Sequence, residues 1–297
     1  MIYRKLCFGI NAIIGYIYKF AIDLHLLAIP NLRNMDNDIV VSLTSYGRRV
    51  RTNVVYYTLV SLLRQKTQPD KILLWLAEDE WNDEIIPVKL KRLKEKGVEI
   101  LYCRDIKSYK KLIPTIKEYP DKDIITIDDD VIYSRNFLKT LLDEHRIYPH
   151  DILCTVARKP IFKDGIPCEY SKWGDSLIKP FKKGTYGKLL FPVGVGGVLY
   201  PVNTLHKDVT RAELFMKYCP NADDIWFWIC GLRNNTIKRY VVKRGTDISF
   251  DSLYQYFHKG SALTHTNNFK HQNDEQLKNL FAYYNYRIEN VKENKIV

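Results

Sequence analysis

Residues 123–130 read DIITIDDD, a short β-branched apolar run that ends in three aspartates. A run too short for a buried helix and rich in Ile and Thr predicts a strand, and the acids mark where the chain leaves the core. Three similar runs precede it: DIVVSLTSY (38–46), KILLWLA (71–77) and VEILYC (98–103). Between them lie amphipathic stretches. RTNVVYYTLVSLLRQ (51–65) sets Val55, Leu59, Leu62 and Leu63 on one helical face before Pro69, and IIPVKLKRLKEKG (85–97) does the same with Ile86, Leu90 and Leu93 before Gly97. SYKKLIPTIKEY (108–119) predicts a short helix. Strands alternating with helices imply an α/β fold with a mostly parallel central sheet covered by helices. In such sheets ligands lie beyond the carboxyl ends of the strands, which is where the three aspartates fall.

Downstream, SRNFLKTLLDEH (134–145) predicts a helix with Ser134 as N-cap and Phe137, Leu138, Leu141 and Leu142 facing inward. Regular alternation then fades. Residues 158–192, rich in Lys, Gly, Pro and aromatics, predict long loops with short strands, and GVGGVLYP (194–201) and CPNADDIWFWICGL (219–232) follow.

The composition narrows the class of protein. With 46% hydrophobic and 13% aromatic residues in 297, the chain has the apolar material for a large core, which excludes disorder as its main state. Six cysteines without a CxxC pair exclude a disulfide scaffold and a zinc or thiol-redox motif, and fit a reducing, cytoplasmic compartment. A net charge of +12 favours anionic partners. Residues 1–30 are apolar but carry Arg4, Lys5, Lys19, Asp23 and His25, so no stretch of about 20 apolar residues exists to span a bilayer. An amphipathic helix over 1–35, lying on a membrane surface or packed on the protein's own core, is the expectation.

The acids carry the chemistry. In an extended segment Asp128 and Asp130 would share one ligand while Asp129 points elsewhere. Mn2+ or Mg2+ would relieve their repulsion and bring a diphosphate with it; a solvated acidic turn is the plainer alternative. Asp223 and Asp224 precede an apolar run that predicts a helix, so they either complement its dipole or supply a general base desolvated beside Trp226 and Trp228.

In the order DDD, GVGGVLYP and ADD, these segments resemble nucleotide-sugar-dependent glycosyltransferases of the GT-A fold, whose marks are a DxD motif, a glycine loop and an xED motif. More narrowly, IVVSLTSYGRRV, QPDKILLWLAEDE, SYKKLIP, TIDDDVIY and CPNADDIWFW resemble bacterial enzymes that build capsular or lipopolysaccharide glycans. The resemblance implies a catalytic domain over 36–245 with a C-terminal extension, 246–297, packed on it. It implies that Thr44, Ser45, Tyr46 and Asp105 meet the nucleotide, and that Arg48 (or Arg49) and Lys111 (or Lys110) neutralise phosphate. Asp128 and Asp129 would lie at the nucleotide sugar, with Asp128, Asp130 and a C-terminal histidine, His265 ahead of His258 and His271, on the cation. Gly194, Gly196 and Gly197 would let the backbone approach a sugar. Asp223 and Trp226 would contact the sugars, with the Trp and Tyr residues near 170–173, 200 and 226–228 as stacking platforms or core, and Asp224 would be the base of an inverting transfer. The implied partners are a nucleotide-sugar donor, most readily a UDP-sugar, and a glycan or lipid-linked acceptor; peripheral contact with the inner face of the cell membrane is consistent with residues 1–35.

A strand ending in DxD is also the nucleophile motif of haloacid-dehalogenase-like phosphatases, but that motif usually opens the chain, and Ile132 stands where Thr or Val is expected. A basic nucleic-acid-binding protein would need a recognition element that the scattered Lys and Arg lack, so no nucleic-acid partner is expected.

Overall fold

The four apolar runs become the parallel half of one sheet. The computed structural model describes residues 2–33, 35, 37–242, 248–250, 272–288 and 296–297. In it, β1 (Ile39–Thr44), β2 (Lys71–Ala77), β3 (Val98–Cys103) and β4 (Asp123–Thr126) pair in parallel in the order β4-β1-β2-β3. Their connections are helical, as parallel neighbours require. After the N-terminal α1 (Ile2–Asp23), helices α2 (Gly47–Arg51) and α3 (Val54–Leu63) link β1 to β2, and α4 (Val88–Lys94) links β2 to β3. A 3-10 turn over Lys107–Lys111 and α5 (Ile113–Glu118) lead into β4.

The second half is less regular. It comprises β5 (Val131–Tyr133), α6 (Phe137–Ile147), β6 (Ile152–Cys154), β7 (Ala157–Lys159), β8 (Phe162–Lys163), β9 (Ile166–Pro167), β10 (Gly174–Asp175), β11 (Tyr186–Gly187), β12 (Phe191–Pro192) and β13 (Val198–Tyr200). Then come α7 (Ala212–Tyr218), α8 (Asp223–Arg233), β14 (Lys238–Tyr240), β15 (Ile248–Phe250) and α9 (Gln272–Tyr283). Strands β13, β6, β14 and β11 extend the sheet beyond β4 to eight, with β13 antiparallel to both neighbours and β14 parallel to β6. The expected α/β architecture, a mostly parallel sheet between helices, is therefore what the chain adopts. The described cysteine side chains, at 103, 154, 168, 219 and 230, are all free.

Helix α3 departs from the one-faced reading: all ten residues are buried, not only Val55, Leu59, Leu62 and Leu63. A helix apolar on every side sits between layers. On its outer side, Tyr57 donates from its hydroxyl to Asp23 Oδ2 at the end of α1, 2.7 Å away. Helix α6 buries Phe137, Leu138, Leu141 and Leu142 as expected, but Ser134 does not cap it. The helix begins at Phe137, and the orphan Leu138 N–H donates to Gln65 Oε1 at 3.0 Å, so a side chain 73 residues away replaces the local cap.

The glycines of the 194–197 segment fix how the chain enters β13. Gly197 has φ +83°, and a Cβ there would lie 2.8 Å from Phe137 Cε2 and drive into the ring. Gly197→Ala combines left-handed strain with overpacking, so a loss of about 2–4 kcal/mol is expected. Urea unfolding should show it as a lower midpoint at unchanged slope.

Candidate active site

At the carboxyl end of β4 the chain turns, and the three aspartates divide. Because regular strand geometry stops at Thr126, the expected alternation of side chains does not apply. Asp129 and Asp130, both buried, are held together by Arg49: its guanidinium pairs with Asp129 Oδ1 and reaches Asp130 Oδ2 at 3.2 Å. Ser45 Oγ donates to Asp129 Oδ2 at 2.5 Å, and Thr58 Oγ1 donates to the Asp129 carbonyl at 2.8 Å. Burial alone would disfavour the charge on Arg49, but the two carboxylates hold its pKa well above the ordinary value.

Asp128 faces the other way, towards Lys111. Lys111 Nζ lies 3.1 Å from Asp128 Oδ1, 2.8 Å from Asp223 Oδ2 and 3.8 Å from Asp224 Oδ1. One ammonium thus joins the acids after β4 to the acids that open α8. Lys111 is 4% exposed, and against the cost of that burial the three carboxylates keep its pKa well above the usual lysine value. It is placed by the 3-10 turn over 107–111, which is clasped to the α8 entrance: Ser108 Oγ donates to Asp223 Oδ1 at 2.8 Å, Lys107 Nζ donates to Asn221 Oδ1 at 2.7 Å, and the Tyr109 hydroxyl donates to the Cys219 carbonyl. Helix α9 braces the same loop, with Gln276 Oε1 accepting from Asn221 N at 2.8 Å.

The glycine segment closes the third side. Gly194 N donates to Asp224 Oδ2 at 3.0 Å, and a Cβ on Gly194 would lie 2.7 Å from both Asp224 Oδ1 and Lys111 Nζ. Tyr133 ties this segment to the triplet: its hydroxyl donates to the Val195 carbonyl at 3.1 Å and accepts from Asp128 N at 3.2 Å. Asp224, a quarter exposed, has its pKa pushed up to about 7. Desolvation is the main cause; Lys111 lowers it, Asp223 and Asp128 raise it, and the Gly194 N–H lowers it. A carboxylate so placed holds a proton more readily than an exposed aspartate does.

Several expected site residues sit elsewhere. Trp226 is fully buried and donates its indole N–H to the Val209 carbonyl at 3.0 Å; Trp228 and Trp173 are likewise core, packed with Phe191, while Tyr170 and Tyr200, buried against Phe191 and Phe227, border the site, where the charge of Asp224 acts on both. Gly196 and Gly197 admit protein rather than ligand: their missing Cβ atoms would strike Val156 and Phe137, leaving Gly194 as the glycine that faces the acids. Arg48 is exposed, and Arg49 takes the aspartate contacts. Asp105, nearly half exposed, pairs with Lys110 and accepts from Lys107 N at 2.9 Å; it does not reach Lys111. Thr44 Oγ1 donates to the Trp75 carbonyl at 2.8 Å, and Tyr46 is 40% exposed with the Arg49 guanidinium over its ring. His258, His265 and His271 lie outside the described residues. Tyr133 and Ser108 lie in the segments TIDDDVIY and SYKKLIP, but that they meet the acids of α8 and the glycine segment is visible only in the contacts across the fold.

The acids do not form a protein cage for a divalent cation. Among the described residues no group of three or more His, Cys, Asp and Glu is arranged to hold a metal. Yet five carboxylates, Asp128, Asp129, Asp130, Asp223 and Asp224, face two cations, partly buried Arg49 and buried Lys111, and the excess is negative. Asp128, with a third of its side chain exposed, is the member of the triplet open to such a cation; Asp130, the expected principal ligand, is turned to Arg49. A separate cavity of about 710 Å³, lined by Asp123, His150, Asn203, Asn235 and Thr236 among others, opens at the opposite end of the sheet and contains none of these acids.

Comparison with known proteins gives likenesses of shape only. No protein-family model matches the chain, and no curated protein matches it. Among solved structures it is similar to residues 1–349 of TarS from S. aureus, with 12% identity over 87% of this chain and 75% of that one at a TM-score of 0.45. It is similar to a CMP:2-keto-3-deoxy-manno-octonic acid synthetase complexed with CTP, at 11% identity over 74% and 95% of the two chains and a TM-score of 0.42. The inositol-1-phosphate CTP transferase of T. maritima gives 13% identity over 76% and 95%, with a TM-score of 0.41.

If Lys111 holds the site together, Lys111→Met leaves three crowded carboxylates without their ammonium, and a loss of about 3–5 kcal/mol is expected at pH 8. Carboxylates crowded in the folded state bind protons more tightly than in the unfolded chain, so folding of this variant is favoured as pH falls. Urea midpoints should therefore converge with those of the parent between pH 8 and pH 5.

Proposed function

We propose that the chain is a glycosyltransferase that moves a sugar from a nucleotide-sugar donor, most readily a UDP-sugar, to a hydroxyl of a glycan or lipid-linked acceptor, with inversion, in the assembly of a bacterial surface polysaccharide. The observation that carries this reading is the Lys111 bridge, which joins Asp128 after β4 to Asp223 and Asp224 at the start of α8 in one partly exposed acidic cluster. The order of motifs in the sequence supports it.

Each side chain has a task. Ser45, Tyr46 and Arg49 stand at the end of β1, where a nucleotide enters beside the triplet. Mn2+ or Mg2+, when bound with the diphosphate at Asp128, would supply positive charge to the leaving oxygen. Lys111 keeps Asp128 and Asp224 at a fixed separation and adds a second positive charge beside the departing group. Asp224 removes the proton from the acceptor hydroxyl, and the oxygen so activated attacks the anomeric carbon as the bond to the nucleotide breaks. Gly194 holds the base by its N–H and leaves open the space that a side chain would fill. The proton resides on Asp224 until solvent receives it.

The first experiment is a thermal-shift screen of UDP-, GDP-, CMP- and dTDP-sugars with and without Mn2+, since a ligand of the native state raises the melting temperature. A UDP-sugar should give the largest shift, and Mn2+ should add to it only in the nucleotide's presence. Hydrolysis of p-nitrophenyl phosphate without any nucleotide sugar would instead favour the phosphatase reading. With donor and acceptor identified, Asp224→Asn should lower kcat by about 10²–10⁴ with donor Kd within about threefold of the parent. The parent's activity should rise with pH through about 7, because the base works deprotonated. Retained turnover in Asp224→Asn refutes its role.

A further inference from the structure

Helix α1 is amphipathic in the wrong sense for a helix whose outer side meets water. Along its second half, Gly15, Tyr18, Lys19 and Ile22 turn inward or lie half-buried, while Ile13, Tyr16, Ile17, Phe20 and, just past its end, Leu24 are 52–62% exposed. Those five fall at i, i+3, i+4, i+7 and i+11, a single stripe down the helix. Ile14 and Leu26, also exposed, widen it. The stripe is firmly mounted. Asp23 accepts from the Tyr57 hydroxyl and pairs with Lys89 Nζ at 2.7 Å, and Ile22 is in the core, so the helix end is fixed to α3 and α4.

The ground beside the stripe is basic. On one side Tyr18 lies in the fields of Arg64 and Arg135, with exposed Lys66 joined to Arg135 through Lys66 N and the Arg135 carbonyl. On the other, Lys19 and Lys89 sit over the ring of Tyr57, and Arg92 acts on Tyr56. Asp23, the acid at the helix end, is already paired with Lys89. Among the described residues no helix is long and apolar enough to cross a membrane.

We infer that this face docks in the plane of an anionic lipid bilayer, the apolar stripe entering the headgroup boundary while Arg64, Lys66, Arg135 and Arg92 meet lipid phosphates. Apolar area and basic flanks together are what interfacial helices use, and neither suffices alone for strong binding. A self-associating apolar face would gain nothing from a basic border, which would bring like charges together. Docking of this kind does not depend on the glycosyl-transfer reading, because vesicle binding needs no donor.

The test is co-sedimentation of the full-length chain with phosphatidylcholine vesicles with or without 30% phosphatidylglycerol, beside light scattering of the chain alone. Binding should be at least tenfold stronger to the anionic vesicles and fall with salt. Ile17→Glu/Phe20→Glu should abolish it and Lys66→Glu/Arg135→Glu should reduce it at least fivefold, with melting temperature and UDP binding as in the parent. Both pairs are drawn from exposed positions, so their folding is checked by the same melting curves. Equal affinity for neutral vesicles, absence of binding to either, or a dimer in solution that Ile17→Glu/Phe20→Glu turns into a monomer would overturn the inference. Lost UDP binding in the parent would count against the proposed function and leave this one standing.

Discussion

The ammonium of Lys111 is the constraint on which the site depends. Asp128 arrives on the loop after β4, and Asp223 and Asp224 open α8 nearly a hundred residues later; without a cation between them, Coulomb repulsion in a half-buried cleft would drive these loops apart. Lysine is suited to the place because its compact charge can be approached from three directions. Its backbone is tethered in turn by Ser108 and Tyr109 to the α8 entrance, so the bridge is held at both ends. Arg49 does a different job on the other side of the triplet, where its planar fork grips two carboxylates at once and turns them from the cleft.

This division of cations gives the acids different chemistry. Asp129 and Asp130 are paired with Arg49 and serve the packing of the loop. Asp224, desolvated and near two other carboxylates, is offset only in part by Lys111 at 3.8 Å, and its pKa rises to about 7. A carboxylate desolvated beside others that are ion-paired is a common device for placing a proton acceptor next to fixed charge.

Much of the fold could be read locally, because strand and helix periods are short-range signals. The runs at 39–44, 71–77, 98–103 and 123–126 declare themselves by apolar β-branched residues, and their alternation with helices dictates parallel pairing. What escaped the reading involves distant partners. Gln65 caps α6 in place of Ser134, and Trp226 is drawn to the Val209 carbonyl and away from the cleft. The two acidic clusters stood out by composition, but the reversal that puts Asp130 on Arg49 and Asp128 in the cleft follows from the turn that ends β4, which a side-chain alternation rule does not foresee. Likewise, three glycines in one segment look equivalent until Phe137 and Val156 claim two of them for packing.

The most direct measurement is a crystal structure of the Asp224→Asn variant with an intact UDP-sugar and Mn2+. The account predicts the diphosphate beside Asp128 within reach of Lys111, and the anomeric carbon facing position 224 across an open space the size of an acceptor hydroxyl. A nucleotide seated instead in the cavity beside Asn203 and Asn235, or a sugar directed away from position 224, would contradict it.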